Sequence, residues 1–142
     1  MDLLRNTPEF APVDVQVAGE LLDCYLESPK DSGYHVWASE LGAAVSGYVC
    51  FGPTPLTQGT WDLYWIAVGR QFRNQGIGSA LVGFTEDRVK KAGGRMVLIE
   101  TSSTPAYRAA RHLYRRLGYR MVARVRDFYL PGDDKLIFQK ML

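Results

Sequence analysis

The chain has 142 residues, and 17 Lys and Arg against 15 Asp and Glu give a formal net charge of +2. This length suits one domain, residues 1–142, which buries about 68–70% of its unfolded surface and needs no disulfide or metal to fold. A dedicated nucleic-acid binder would carry a clear basic stripe, which so small a net charge does not favour. No apolar run approaches the roughly 18 residues of a membrane-spanning helix.

Two cysteines, Cys24 and Cys50, lie in no CxxC or Cys/His cluster, so no metal site is expected. Both are predicted to be free thiols in a reducing compartment. The N-terminus has neither the basic nor the apolar region of a signal peptide. These features together favour a cytoplasmic protein.

The first half of the chain predicts a short initial strand, one helix and three further strands. Residues 14–27 have the apolar spacing of a helix. Residues 34–40 and 43–51 predict an antiparallel hairpin. Residues 60–68 (TWDLYWIAV) are β-branched and aromatic with almost no charge, which indicates a central strand.

A helix is predicted from about Gly76 to Ala92, where Gly93-Gly94 ends it. Its inward face is expected to hold Ile77, Ala80, Leu81, Phe84 and Val89. Residues 95–102 (RMVLIETS) form a near-continuous apolar run, which is typical of a strand buried on both faces.

The last third predicts a helix and a hairpin. Thr104-Pro105 opens the helix, with Ser103 or Thr104 as its cap, and Gly118 ends it. Its inward stripe is Ala106, Ala109, Ala110, Leu113, Tyr114 and Leu117. Residues 119–127 and 135–142 are strands around the turn Pro131-Gly132.

This order of elements predicts a mixed α/β fold. About six or seven strands form the central sheet, and helices cover both of its faces. The strands at 60–68 and 95–102 should be parallel and joined by a right-handed crossover.

The segment RNQGIGSAL, residues 73–81, joins a strand directly to a helix. The first N–H groups of a helix lack partners and lie at the positive end of its dipole, so they bind anions. Glycines let such a turn approach a phosphate closely. The segment is neither a GxxxxGK[ST] loop nor a three-glycine dinucleotide motif, and a plain tight turn remains an alternative.

Arg73-x-x-Gly76-x-Gly78 resembles the [QR]-x-x-G-x-[GA] signature of the GNAT superfamily, the acetyl-CoA-dependent N-acetyltransferases. Ala110, Tyr114, Gly118 and Tyr119 match a second pattern of that family, A-x-x-x-Y-x-x-x-G-[FY]. The order of elements agrees over roughly residues 14–142, and most closely over 60–119.

The resemblance implies that the sheet splays between strands 60–68 and 95–102 and that coenzyme A lies in the gap. The pyrophosphate would bind backbone N–H groups from Arg73 to Ser79, and the pantetheine arm would pair with the strand near Ile66 to Val68. The cofactor-binding residues so implied are Ile66, Ala67, Val68, Arg73, Asn74, Gln75, Gly76, Ile77, Gly78 and Ser79. Many relatives carry an asparagine where this chain has Tyr107, so that contact is not expected here.

Acetyl transfer to an amine requires loss of a proton from the ammonium, support for the carbonyl oxygen and protonation of the departing thiolate. The resemblance makes Tyr114 the general acid, whereas its spacing alone fits a core aromatic. Asp62 occupies a strand position where some relatives carry a glutamate base, and it would act through a water. Glu100 is the rival base. The backbone N–H of Val68 is the expected oxyanion donor.

Other polar residues allow other interpretations. His35 and His112 could serve a nucleophile, but no GxSxG elbow accompanies them. Four arginines on the last helix could form a solvated face, contact cofactor phosphates or bind nucleic acid; they are Arg108, Arg111, Arg115 and Arg116.

The acceptor is the least determined part of the prediction. Its entrance is expected at loop 52–60, the start of the first helix and the hairpin turn 127–134, where three aspartates and two aromatics suit a cationic amine. A small-molecule amine is favoured, while a protein N-terminus or lysine and a homodimer stay open. The alternative function is a non-catalytic acetyl-CoA sensor.

Overall fold

The computed structural model describes residues 33–41 and 44–142. The predicted initial strand, the predicted helix at 14–27 and Cys24 lie outside these ranges. Six strands and two helices follow one another along the described chain: β1 His35–Leu41, β2 Ala44–Pro53, β3 Thr60–Val68, α1 Ile77–Lys91, β4 Met96–Ser102, α2 Arg108–Arg116, β5 Arg120–Leu130 and β6 Asp133–Met141. Short 3-10 turns at Arg70–Phe72 and Pro105–Tyr107 precede the two helices.

The strands form one mixed sheet in the order β1-β2-β3-β4-β6-β5. β3 and β4 are parallel, and the other neighbouring pairs are antiparallel. The predicted mixed α/β fold is therefore confirmed, together with both hairpins and the parallel pair. β5 extends three residues beyond its predicted end, past a register irregularity between Val125 and Leu130.

The two described helices contribute to one core cluster with the sheet. The residues that α1 buries are Ile77, Leu81, Val82, Thr85 and Val89. Ala80, predicted to point inward, is exposed. Thr85 was not predicted to be buried; its hydroxyl donates to Leu81 O at 2.9 Å, which removes the cost of burying it.

Two further predictions hold only in part. Thr104 is the N-cap residue of the 3-10 turn, as predicted, but its side chain makes no capping bond; its hydroxyl contacts Ser102 Oγ at 2.9 Å instead. β4 is also not buried on both faces: Val97 and Ile99 are buried, whereas Glu100 is exposed. Glu100 is exposed at the point where β3 leaves β4, one residue beyond the last paired residue, Ile99.

Gly94 packs where no side chain fits. A Cβ there would overlap Val89 Cγ1 and lie 2.8 Å from Trp61 Cδ1. By contrast, a Cβ at Gly83, inside α1, would meet nothing within 4 Å.

We therefore expect Gly94→Ala to lower the free energy of unfolding by about 1–3 kcal/mol through overpacking. Gly83→Ala should raise it by about 0.5–1 kcal/mol, because alanine favours the helix. Urea denaturation of both variants measures the difference. Equal unfolding midpoints would contradict the packing described around Gly94.

Candidate functional site

The sheet opens between β3 and β4. Their parallel pairing runs only from Thr60 opposite Met96 to Leu63 opposite Ile99. Beyond it, β3 stays with β2 as far as Val68, and β4 stays with β6 as far as Ser102. The predicted splay is present.

A bulge in β3 marks the point of separation. Cys50 of β2 lies opposite Trp65, but the next residue, Phe51, lies opposite Leu63, so Tyr64 is an extra residue in β3. Bulges of this kind bend and twist a strand. The sequence carries no signal that would place the bulge at Tyr64.

Beyond the bulge, backbone groups of β3 point into the gap. Gly69 N donates to Ser46 O at 2.9 Å, and Val68 is paired opposite Gly47. In an antiparallel ladder the directly hydrogen-bonded pairs alternate with pairs whose N–H and C=O groups point away from the partner strand. Val68 and Ile66 therefore direct these groups away from β2 and towards the gap, as an oxyanion donor and a strand-like partner require.

The gap is a cleft of about 930 Å³, within the range of small-molecule sites. Its walls come from β3, the turn before α1 and the first turn of that helix, β4, α2 and the tip of the β5–β6 hairpin. Besides Tyr114, four residues of the predicted α2 stripe line this cleft, namely Ala106, Ala109, Ala110 and Leu113. Their small and apolar character leaves room for a ligand beside α2.

The start of α1 forms a concave backbone surface at one end of the cleft. Asn74 and Gly76 have left-handed φ angles of 60° and 76°. Gly76 is the N-cap of α1, and no side chain caps the helix, so the N–H groups of its first turn remain available. A Cβ at Gly76 would meet nothing within 4 Å, and one at Gly78 would lie 3.1 Å from Leu113 Cδ2. The space beside Gly76 is thus open, and the missing Cβ of Gly78 lets α1 approach α2.

Most predicted cofactor-binding residues come together here. Those lining the cleft are Ile66, Ala67, Val68, Arg73, Asn74, Gly76, Ile77, Gly78 and Ser79. Gln75 is exposed and outside this lining, so its assignment rests on the sequence motif alone.

Tyr114 lines the same cleft and is 4% exposed. Its ring centroid lies 6.0 Å from that of Phe138 and 6.3 Å from that of Tyr119. Burial raises the pKa of its hydroxyl well above the ordinary value, so the group keeps its proton at neutral pH. The core-aromatic and proton-donor interpretations are compatible, because a packed ring fixes the position of the hydroxyl.

Asp62 is half-buried and lines the cleft. Burial raises the pKa of its carboxyl, a hydrogen bond from Thr54 lowers it, nearby Glu100 raises it and Lys135 lowers it, and the net pKa shift is upward. Glu100 also lines the cleft, but it is exposed and paired with Lys135 Nζ at 3.1 Å. Of the two candidate bases, Asp62 is thus the less exposed, and its carboxyl has a raised pKa.

The described residues give no support to a nucleophile mechanism. The His35 ring stacks on Phe51 with centroids 5.3 Å apart, and burial followed by the charge of Arg88 lowers the pKa of His35. Neither His35 nor His112 lines the cleft. Cys50 is buried, and burial raises the pKa of its thiol to about 12, which makes it a poor nucleophile.

The arginines of α2 make different contacts. Arg111 Nη1 donates to Ser102 O at 2.8 Å and to Thr104 O at 2.7 Å, and so it ties α2 to the end of β4. Arg115 lies over the Phe138 ring at 5.4 Å, and Arg116 lines the cleft. Such mixed environments do not form the uniform basic face that nucleic acid would require.

Of the predicted acceptor entrance, the tip of the last hairpin reaches the cleft, whereas the start of the first helix lies outside the described residues. Asp127 Oδ1 accepts a hydrogen bond from Gly132 N at 2.8 Å, and Asp134 pairs with Arg124, so both close the hairpin. Asp133 alone of the three aspartates lines the cleft, with Tyr129 and Leu130 beside it. No residue of loop 52–60 lines the cleft, although Thr54 of that loop contacts Asp62, which does.

Within residues 33–41 and 44–142, no helix is long and apolar enough to cross a membrane. The same ranges contain no group of three or more His, Cys, Asp and Glu side chains placed to hold a metal ion. The cytoplasmic location stays a prediction.

Comparison with known proteins agrees with this geometry. Residues 3–119 match the family model described as the acetyltransferase (GNAT) family. The chain is 30% identical over 120 residues to the uncharacterised N-acetyltransferase YvbK of Bacillus subtilis (strain 168), covering 84% of this chain and 72% of that protein.

Solved structures include one from Desulfovibrio desulfuricans assigned to the GNAT family, with 38% identity and a TM-score of 0.94, covering 99% of this chain and 88% of the other. An aminoglycoside 6'-N-acetyltransferase complexed with coenzyme A is 19% identical with a TM-score of 0.76, covering 99% and 87%. A GNAT protein from Elizabethkingia anophelis with acetyl-CoA bound is 20% identical with a TM-score of 0.74, covering 99% and 89%. These last two share the fold.

Proposed function

Because the chain belongs to the GNAT family of acetyltransferases, we propose that it transfers the acetyl group of acetyl-CoA to a primary amine of a small molecule by direct attack. The observation that carries this proposal is the pairing of two backbone features along one cleft. One is the uncapped start of α1, and the other is the half of β3 that has left β4.

The residues present fit the cofactor. A diphosphate suits the N–H groups of Ile77, Gly78 and Ser79, which carry the positive end of the α1 dipole. The outward N–H and C=O groups of Ile66 and Val68 suit the amides of a pantetheine arm. When bound, acetyl-CoA would supply an activated acyl thioester. Two structural relatives bind coenzyme A or acetyl-CoA, which supports this assignment.

The chain's own residues then supply the remaining chemistry. Asp62 takes the proton of the acceptor ammonium, directly or through one water, so that the nitrogen can attack the carbonyl carbon. Val68 N–H stabilises the oxygen as charge develops on it. As the carbon–sulfur bond breaks, Tyr114 donates its proton to the departing thiolate. Between ammonium and amide the nitrogen loses two protons: Asp62 takes the first and releases it to solvent, and the second replaces the proton that Tyr114 gives to sulfur, so one proton is released overall.

The cleft lining favours a cationic acceptor of small size. Asp62, Glu100 and Asp133 place three carboxylates along it, and Tyr64, Trp65 and Tyr129 add aromatic surface that suits an ammonium group. The buried, protonated Tyr114 favours an enzyme over a non-catalytic sensor, since binding alone needs no proton donor at the sulfur.

We expect Gly76→Asp to weaken coenzyme A binding at least about tenfold, because its carboxylate would oppose the diphosphate at close range. Gly76→Asn is the matched control: it has nearly the same shape and tolerates the left-handed conformation, but it carries no charge. Isothermal titration calorimetry compares them. Equal affinity of the two variants would remove the diphosphate from this position.

We expect Tyr114→Phe to lower kcat about 10²–10⁴-fold, the usual contribution of a positioned proton donor, with little change in coenzyme A affinity. Thiol release from acetyl-CoA with a panel of amines provides the assay. Unchanged kcat would exclude Tyr114 as the acid. Saturable cofactor binding by the wild-type protein with no turnover on any amine would instead favour the sensor.

A further inference from the structure

The loop from Thr54 to Gly59 joins β2 to β3 and contacts the proposed base. Thr54 Oγ1 donates to Asp62 Oδ2 at 2.7 Å. Asp62 itself is three residues into β3, opposite Gly52 of β2. A hydroxyl from outside the cleft therefore fixes a carboxylate that lines it.

Hydrogen bonds hold Thr54 from both sides. Its N–H donates to Thr60 O at 2.8 Å, and its C=O accepts a hydrogen bond from Thr57 Oγ1 at 2.7 Å. From the start of β4, Arg95 Nε donates to Gln58 O at 2.7 Å, and Arg95 N donates to Gly59 O at 2.8 Å. The loop is thereby attached to two strands, so the Thr54 hydroxyl has a defined position.

The loop also carries backbone strain. Leu56 has φ 63°, and its side chain is fully exposed. A bulky residue rarely adopts this conformation, and an exposed side chain gains no packing in return. Strain of this kind persists where the surrounding structure over-determines it, often beside a functional group.

On these observations, and given the proposed function, we propose that Thr54 is a positioning residue for acetyl transfer. Its hydroxyl holds Asp62 Oδ2, fixes the plane of the carboxylate and leaves Oδ1 to accept the proton of the acceptor amine, directly or through one water. Thr54 contacts neither acceptor nor thioester and acts only through Asp62.

Charged and titratable groups from several elements face Asp62. Glu100 approaches from β4, Lys135 from β6 and Tyr64 from the bulge in β3. Burial and Glu100 raise the pKa of Asp62, whereas Thr54 and Lys135 lower it. Since a base must be ionised to act, loss of the Thr54 hydroxyl should raise this pKa and move the acidic limb of the pH–rate profile to higher pH.

Three variants separate this contact from loop stability. Thr54→Val removes the hydroxyl with little change of shape. Thr54→Ser restores a hydroxyl and should restore the wild-type profile. Thr57→Val is the matched control for loop stability: it removes the hydroxyl that bonds Thr54 O, but the Thr54 hydroxyl and the bond from Thr54 N to Thr60 O remain, and these hold the Asp62 contact.

The readouts are kcat/KM against pH and the ¹³C NMR titration of the Asp62 carboxyl carbon. In Thr54→Val we expect kcat/KM at acidic pH to fall about tenfold, the effect of losing one hydrogen bond to a charged group, while the high-pH plateau changes less. The Asp62 titration should move to higher pH in the same variant.

A wild-type profile and titration in Thr54→Val, or the same shift in Thr57→Val, would overturn the proposal. A moved titration with an unmoved kinetic limb would also overturn it, because Asp62 would then not be the base. Failure of the wild-type protein to release thiol with any amine would count against the proposed function, and the NMR titration would still decide the Thr54 contact.

Discussion

The departure of β3 from β4 after Leu63 is the constraint on which the rest of the site depends. A parallel pair that stayed hydrogen-bonded to its end would bury the backbone groups of Ile66 and Val68 in the ladder. Because the extra residue Tyr64 bends β3 away, these groups face a cleft instead. Unpaired N–H and C=O groups in the centre of a sheet cost free energy. A ligand with its own amides can offset that cost, so the opening itself indicates an elongated polar ligand.

The helices set the depth and the polarity of that cleft. α1 begins at a left-handed glycine with no capping side chain, which leaves its first N–H groups for an anion. α2 lies close beside α1 because Gly78 has no Cβ to meet Leu113, and Arg111 fastens α2 to the end of β4. Tyr114 is consequently held by packing at the cleft wall. The carboxylates of Asp62, Glu100 and Asp133 line the same cleft, so one space offers backbone donors to an anion and acids to an amine.

Local patterns predicted the elements well, since each strand and helix has its own periodicity and its own glycine or proline boundaries. β3 at 60–68 and the turn at Pro131-Gly132 are examples. The sequence could not place the bulge at Tyr64, because a bulge is a property of two paired strands. Nor could it show that Ala106, Ala109 and Ala110 face a cleft instead of a core, since an apolar stripe looks the same against either.

The polar side chains show the same contrast between features that are local in the sequence and features that depend on strand pairing. The glycine turn was predictable because its chemistry is local to residues 73–79. The sequence could not distinguish Asp133, which lines the cleft, from Asp127 and Asp134, whose carboxylates are hydrogen-bonded within the hairpin. Thr54 gave no signal at all, because its partner, Asp62, is eight residues away and meets it only when β2 and β3 pair.

The most direct test of the central claim is a backbone amide NMR titration of the protein with coenzyme A. We expect the amide resonances of Ile77, Gly78 and Ser79, together with those of Ile66 and Val68, to shift saturably, while those of residues 120–125 in β5, which do not line the cleft, stay unchanged. Saturable binding at millimolar ligand that leaves these five amides unmoved would contradict it.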